Sequence, residues 1–171
     1  LKNVYLNVLD KAKDFIHKAF TIIFMASIVI WFLQSFNFRF EMVSDSSKSI
    51  LAFIGNKLSF IFAPLGFSNW RLSTALITGI TAKESVVSTL SVLTNSSSPD
   101  ALYHALNGLL TPASAFAFLT FTVLYMPCVA AFAATKRELG SWLQAILTVL
   151  YQTGVAYVVA FIVYHFALLI S

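Results

Sequence analysis

The chain has 171 residues, 58% of them hydrophobic and 11% charged, with a formal net charge of +4. Soluble domains carry about one quarter charged residues, so this composition excludes a soluble globule, and the absence of strict apolar and polar alternation excludes a β-barrel. The basic residues gather at segment ends (Lys2, Lys11, Lys13, Lys18, Lys136, Arg137), which is a topology signal and not a nucleic-acid surface.

The expected class is all-α, a polytopic transmembrane helical bundle with discontinuous helices, with residues 1–171 forming a single membrane domain. The first apolar segment runs from about Phe15 to Phe36, long enough to span, since roughly 20 apolar residues cross a bilayer. The amphipathic lead "LKNVYLNVLDKAKDFIHKA" is not a cleavable signal peptide, and a start at Leu1 in place of Met fits a fragment of a longer protein. Residues 50–67, "ILAFIGNKLSFIFAPLGF", hold Gly55, Asn56, Lys57 and Pro64 and predict a broken, tilted or interfacial helix. A third segment covers Arg71 to Leu93, and "TNSSSPDALYHALNGLLTP" after it reads as a loop with a short helix. The fourth, Ala113 to Ala134, is cut by Met126-Pro127-Cys128, and the fifth, Trp142 to Ile170, is the cleanest span. Five crossings keep both the Lys-rich N-terminus and the Lys136-Arg137 loop on the cytoplasmic side and put the C-terminus outside, whereas a re-entrant second segment sets the two assignments in conflict.

The third segment contains "ALITGITAKESVVSTL", an apolar run with Lys83 and Glu84 at its centre. At 100° per residue, Thr74, Thr78, Thr81, Ser85 and Ser88 fall on one stripe of a continuous helix, with Glu84 at its border and Lys83 pointing away. Hydroxyl stripes serve helix packing in membranes, but the charges add a demand. Adjacent residues do not face each other on a helix, so Lys83 cannot neutralise Glu84 there. A charge at the bilayer centre costs about 2.5–3.5 kcal/mol on insertion scales. The remedies are a break near Gly79, a partner on another helix, or a water-filled cavity, and each puts Glu84 in the protein interior. Intramembrane ionisable residues mark ion or substrate paths.

In "FTVLYMPCVAAFAATKRE", Pro127 has no N–H, so the Val123 carbonyl four residues back loses its helical donor. Such a carbonyl needs protein, water or an ion, and Met126 and Cys128 beside it offer sulfur to a soft or borderline cation. A plain proline kink beside a buried cysteine is the competing account. Two interrupted helices in one short chain favour a transport site, because discontinuous helices near the midplane form such sites.

His17, His104 and His165 lie near segment ends and read as interfacial; Met25 and Gln34 suit either a pathway or the core, with the core expected. Residues 151–154 form a polar interruption that suits packing or path lining equally. The single Cys128 excludes an internal disulfide. The chain has no phosphate-binding loop, HExxH, GxSxG or paired-cysteine motif, so it is not expected to be an enzyme.

The stretch "APLGFSNWRLSTALITGITAKESVVSTLSVL", followed by "SAFAFLTFTVLYMPCVAAFAATKRELGSW" and a Tyr-rich final helix, resembles the C-terminal part of the membrane domain of the bacterial ferrous iron transporter (FeoB) family, from roughly residue 10 onward. The resemblance implies the second gate repeat, a region also distantly similar to nucleoside-transporter gates. It implies Fe²⁺ as the transported ion, a multi-pass position in the bacterial cytoplasmic (inner) membrane, and contact of Pro127, Cys128 and Glu84 with the metal path. GTP and Mg²⁺ belong to a GTPase domain that this chain lacks, as it lacks the first gate repeat. The expected transport path comprises Glu84, Lys83, Thr78, Thr81, Ser85, Ser88 and Pro127, with Cys128, Glu84 and Met126 as metal ligands. Expected partners are the lipid bilayer and the remainder of the transporter chain, with a homo-oligomer compatible and nucleic acid excluded. The rival functions are a nucleoside-type organic solute carrier and a non-transporting membrane scaffold.

Overall fold

The computed structural model describes residues 2–43, 45–125 and 128–170, and for residues 2–8, 10–12 and 14–19 the backbone alone. These residues form α1 (Lys2–Ser35), α2 (Ile50–Phe62), α3 (Trp70–Thr78), α4 (Ser85–Leu93), α5 (Pro99–Asn107), α6 (Pro112–Leu124), α7 (Val129–Leu139) and α8 (Trp142–Ile170). Pairing of extended backbone among the described residues is confined to one bridge, Phe36 with Met42. The chain is an all-α helical membrane protein with interrupted helices.

Local chemistry explains the boundaries. Between α1 and α2, Asp45 starts a short turn (Ser46–Lys48) by accepting from the Ser47 N–H at 3.0 Å, which holds its carboxyl below the usual carboxylate range. Ser49 then caps α2 through the Ala52 N–H. Past α2, Pro64 lies in a tight turn, Ala63–Leu65, and Gly66 follows with φ +78°. That left-handed step lets the chain turn before Asn69 caps α3 by accepting from the Arg71 N–H at 2.9 Å. The resulting bend between residues 50–65 and 70–78 is 105°. A second bend, 114°, separates α5 from α6, where Thr111 and Ser114 form a reciprocal cap and Pro112 takes the first helical turn.

These bends regroup the sequence-level segments. Among the described residues, α8 alone is long and apolar enough to cross a membrane by itself, and the number rises to three if each bent pair forms one span. The five crossings expected from the sequence are therefore not found as such, while the expected interruptions are present. Residues 71–93 divide into α3 and α4, and residues 113–134 into α6 and α7. One order, helix, sharp bend, helix, break, short helix, occurs twice, in α2–α3–α4 and in α5–α6–α7.

The core collects where these two units meet α8. Leu65, Phe67, Leu72, Leu76, Phe118 and Phe121 are buried together, with ring pairs Phe67–Phe118 and Phe62–Phe121 edge-on at 5.4 and 5.2 Å. Helices α6 and α8 pack through Ala117, Ala156 and Ala160, all fully buried; small residues let membrane helices approach closely. The Tyr157 hydroxyl donates to the Ile61 carbonyl at 2.9 Å, and the Tyr164 ring lies where a side chain on Gly66 would go. Met25 is 57% exposed and so is not a core residue of this chain. Tyr151 is 75% exposed and Gln152 and Gly154 are also exposed, so the interruption in α8 faces outward. His104 and His165 are exposed as expected, while the side chain of His17 lies outside the described residues.

Gly66→Ala combines a left-handed backbone, costing about 1–2 kcal/mol for a residue with Cβ, with collision against Tyr164. It is expected to lower the midpoint of thermal unfolding in detergent, while Gly108→Ala, whose Cβ meets only the Ala105 carbonyl at an ordinary 3.5 Å contact, leaves it nearly unchanged.

Candidate functional site: two helix breaks that meet

The run Gly79 to Glu84 is the break between α3 and α4. Hydrogen bonding shows how the helix comes apart. The Gly79 N–H still reaches Ala75, but the Ile80 N–H turns to the Ile77 carbonyl at 3.1 Å and the Thr81 N–H to Thr78 at 3.0 Å. The ladder thus tightens from four residues to three, and the Leu76 carbonyl loses its partner. Hydroxyls stabilise the exit. Thr81 Oγ1 donates to the Thr78 carbonyl at 2.6 Å, and Ser85 Oγ reaches the same oxygen at 3.0 Å and that of Ala82 at 2.7 Å.

The break changes which residues align. Thr78 is 3% exposed and its hydroxyl pairs with that of Thr89 at 2.9 Å, tying α3 to α4. Ser88 is exposed, with only a 3.4 Å contact to the Glu84 carbonyl. The stripe of a continuous helix is therefore not present. The turn shifts the register by one residue, so Thr89 takes the inward place that the 100° rule assigns to Ser88. Thr74 is buried and its hydroxyl, like that of Ser73, has no hydrogen-bond partner among the described residues.

The second break separates α6, ending at Leu124, from α7, starting at Val129. Met126 and Pro127 lie outside the described residues, and Cys128 is a half-buried free thiol at the cap of α7. The two breaks bind one another. Tyr125 donates its hydroxyl to the Leu76 carbonyl at 3.0 Å, taking up the oxygen that α3 abandons. The Val129 N–H donates to the Ile80 carbonyl at 2.9 Å. In return, Lys83 Nζ donates to the Val123 carbonyl at 2.7 Å, the oxygen left free near the end of α6. Gly79 permits this approach, because a Cβ there would collide with Val86 and the Tyr125 hydroxyl.

Electrostatics explains why neighbouring opposite charges coexist here. Lys83 sits at the carbonyl end of α6 and Glu84 at the amide end of α4, so each charge lies at the helix terminus that favours it. The ammonium is also 5.5 Å from the centre of the Tyr125 ring. Its stem lines one end of a groove of about 440 Å³ whose other walls include Leu90, Leu106, Leu110, Phe118 and Leu119. Glu84 itself is exposed and makes no side-chain cap, which corrects its expected burial. A break relieves the charged pair by opening the helix outward, and this needs no enclosure within the chain. Among the described residues there is no cluster of three or more His, Cys, Asp or Glu able to hold a metal.

Sequence reasoning missed Tyr125 and Thr89. Tyr125 had a signal, a hydroxyl-bearing ring two residues before a proline break, whereas Thr89 had none without the break's geometry. Tyr125→Phe should leave the Leu76 carbonyl buried without its donor, at a cost of about 1–3 kcal/mol. The check is a lower thermal midpoint in detergent, with Tyr103→Phe, an exposed ring, as the control.

A family model described as Gate, nucleoside recognition, matches residues 16–142. Curated relatives named Fe(2+) transporter FeoB align with nearly the whole chain. The Staphylococcus aureus (strain MSSA476) protein is 36% identical over 96% of the chain, that of Methanocaldococcus jannaschii 35% over 95%, and that of Campylobacter jejuni 35% over 96%. The chain spans only about a quarter of their length, 24%, 25% and 28% respectively. No solved structure matches it. The model match over most of its length, including both breaks, means that the chain belongs to the Gate family.

Proposed function

We propose that this chain is a single membrane domain of a longer, GTP-dependent ferrous iron transporter in the bacterial inner membrane, and that it forms part of the Fe²⁺ path without catalysing a reaction itself. The observation that carries this reading is the meeting of two interrupted helices, with Glu84 in one break and Cys128 at the edge of the other. The names of the relatives supply the cargo. Fe²⁺ is a borderline cation, served by a hard carboxylate oxygen, a soft sulfur and backbone carbonyls together. Glu84 would give charge and oxygen, Cys128 sulfur, and Met126 a second sulfur, while Thr78, Thr81, Ser85 and Ser88 supply hydroxyls along the approach. Because Glu84 and Ser88 are exposed on this chain, the path is read as lying between it and the remainder of the transporter, which includes a first gate repeat. The GTPase domain would hold GTP and Mg²⁺ and drive the opening.

The test is made in the intact transporter at matched expression. Cys128→Ser and Glu84→Ala are each expected to reduce Fe²⁺ uptake by roughly tenfold, the scale of losing a metal-site group. Unchanged uptake in both removes them as ligands. The family description, nucleoside recognition, favours a second reading, in which hydroxyls and Glu84 hydrogen-bond an organic solute. Uptake that nucleosides compete for, and that Mn²⁺ and Co²⁺ do not, would establish that reading in place of iron.

A further inference from the structure

We propose that Lys83 is a tethered cation that holds the two breaks closed, and that its ammonium must leave the Val123 carbonyl before a cargo cation can use that oxygen. The inference concerns regulation of the site and, in its second half, rests on the iron reading. Three observations carry it. The first is the 2.7 Å hydrogen bond from Lys83 Nζ to the Val123 carbonyl, which joins residues 40 apart. The second is the state of that carbonyl. It stands one residue before the end of α6 on an exposed residue, and the residue four positions on is a proline with no N–H to offer, so the regular helical donor is missing. The third is that, among the described residues, the ammonium has no acidic partner. Among the described residues Glu84, its neighbour, points no hydrogen bond at it, and the carbonyl end of α6 with the Tyr125 ring supplies the negative potential instead.

A carbonyl oxygen at a helix end is a general cation ligand, and it does not distinguish an ammonium from a metal ion except by size and charge. Lys83 therefore occupies a ligand position with a cation the protein carries permanently. While it does so, the link from Val123 to residue 83 and the link from Val129 to Ile80 clamp the same crossing from both sides. A divalent ion approaching the crossing competes with the ammonium, and its success releases one of the two clamps. Cargo binding and opening become the same event, which is a population shift driven by differential affinity for the two states.

The experiment uses the intact transporter in membranes and reads the alkylation rate of Cys128 by a water-soluble maleimide, resolved by peptide mass spectrometry, in the absence of metal. K83M removes the charge while keeping the stem. It is expected to raise the rate by roughly tenfold, the factor a charge-assisted hydrogen bond sustains, and K83R is expected to restore the slow rate. In uptake, K83M is expected to lower the KM for Fe²⁺ by removing the competitor. A K83M rate equal to that of the parent overturns the clamp, as does an equal increase in K83M and K83R. Should K83M fail to reach the membrane, K83Q is read in the same way. If Cys128→Ser and Glu84→Ala leave uptake intact while K83M still exposes Cys128, the iron reading fails and the clamp stands. If those two variants abolish uptake and K83M leaves Cys128 protected, the clamp fails and the iron reading stands.

Discussion

A backbone carbonyl shut away from water has to find a donor, and three carbonyls of this chain, that of Leu76 buried and that of Val123 on an exposed residue, find theirs on the opposite break. Leu76 accepts from Tyr125, Ile80 from Val129 and Val123 from Lys83. Leaving the buried Leu76 carbonyl unpaired costs about 1–3 kcal/mol, so the first break is tolerable because the second is present. The exchange also settles the charges. Lys83 and Glu84, which would repel lipid together in a straight helix, are parted by the unwinding and directed to two helix termini of opposite sign.

The surrounding architecture serves that crossing. The left-handed Gly66 turns the chain so that α3 leaves α2 at 105°, and the Thr111–Ser114 cap starts α6 after a comparable bend. The aromatic cluster of Phe62, Phe67, Phe118 and Phe121 continues into Tyr125 through a stacked pair at 5.4 Å. The ring that carries the hydroxyl to Leu76 is thereby packed at the end of the core and oriented by it, and Gly79 leaves the space it needs.

Much of this is readable in residue chemistry, and the part that is not has a common cause. The bounds of α8 follow from uninterrupted apolarity and match Trp142 to Ile170. The break at Gly79 is one of three remedies that adjacent charges on a regular helix demand, and the need of Val123 for a foreign donor follows from Pro127. What periodicity cannot provide is the identity of that donor, because Lys83 lies 40 residues away and the pairing is tertiary. Nor can it follow the chain through a break. Once the ladder tightens at Ile80 the 100° rule loses its origin, Ser88 turns outward and Thr89 turns in. The exposure of Glu84 and Met25 has the same character, since apolar or charged identity alone does not say which flank of a chain is covered.

The grip of α8 on the first bend gives the molecule a mechanical axis. Tyr157 holds the Ile61 carbonyl and Tyr164 fills the hollow over Gly66, two fastenings about two turns apart on a single helix. At 1.5 Å per residue, the 29 residues of α8 make a mast of roughly 43 Å. A tilt of such a mast would carry the corner, and α3 beyond it, along with it. Movement begun far out on the periphery would then reach the inner crossing through the backbone, with no side chain there changing its chemistry.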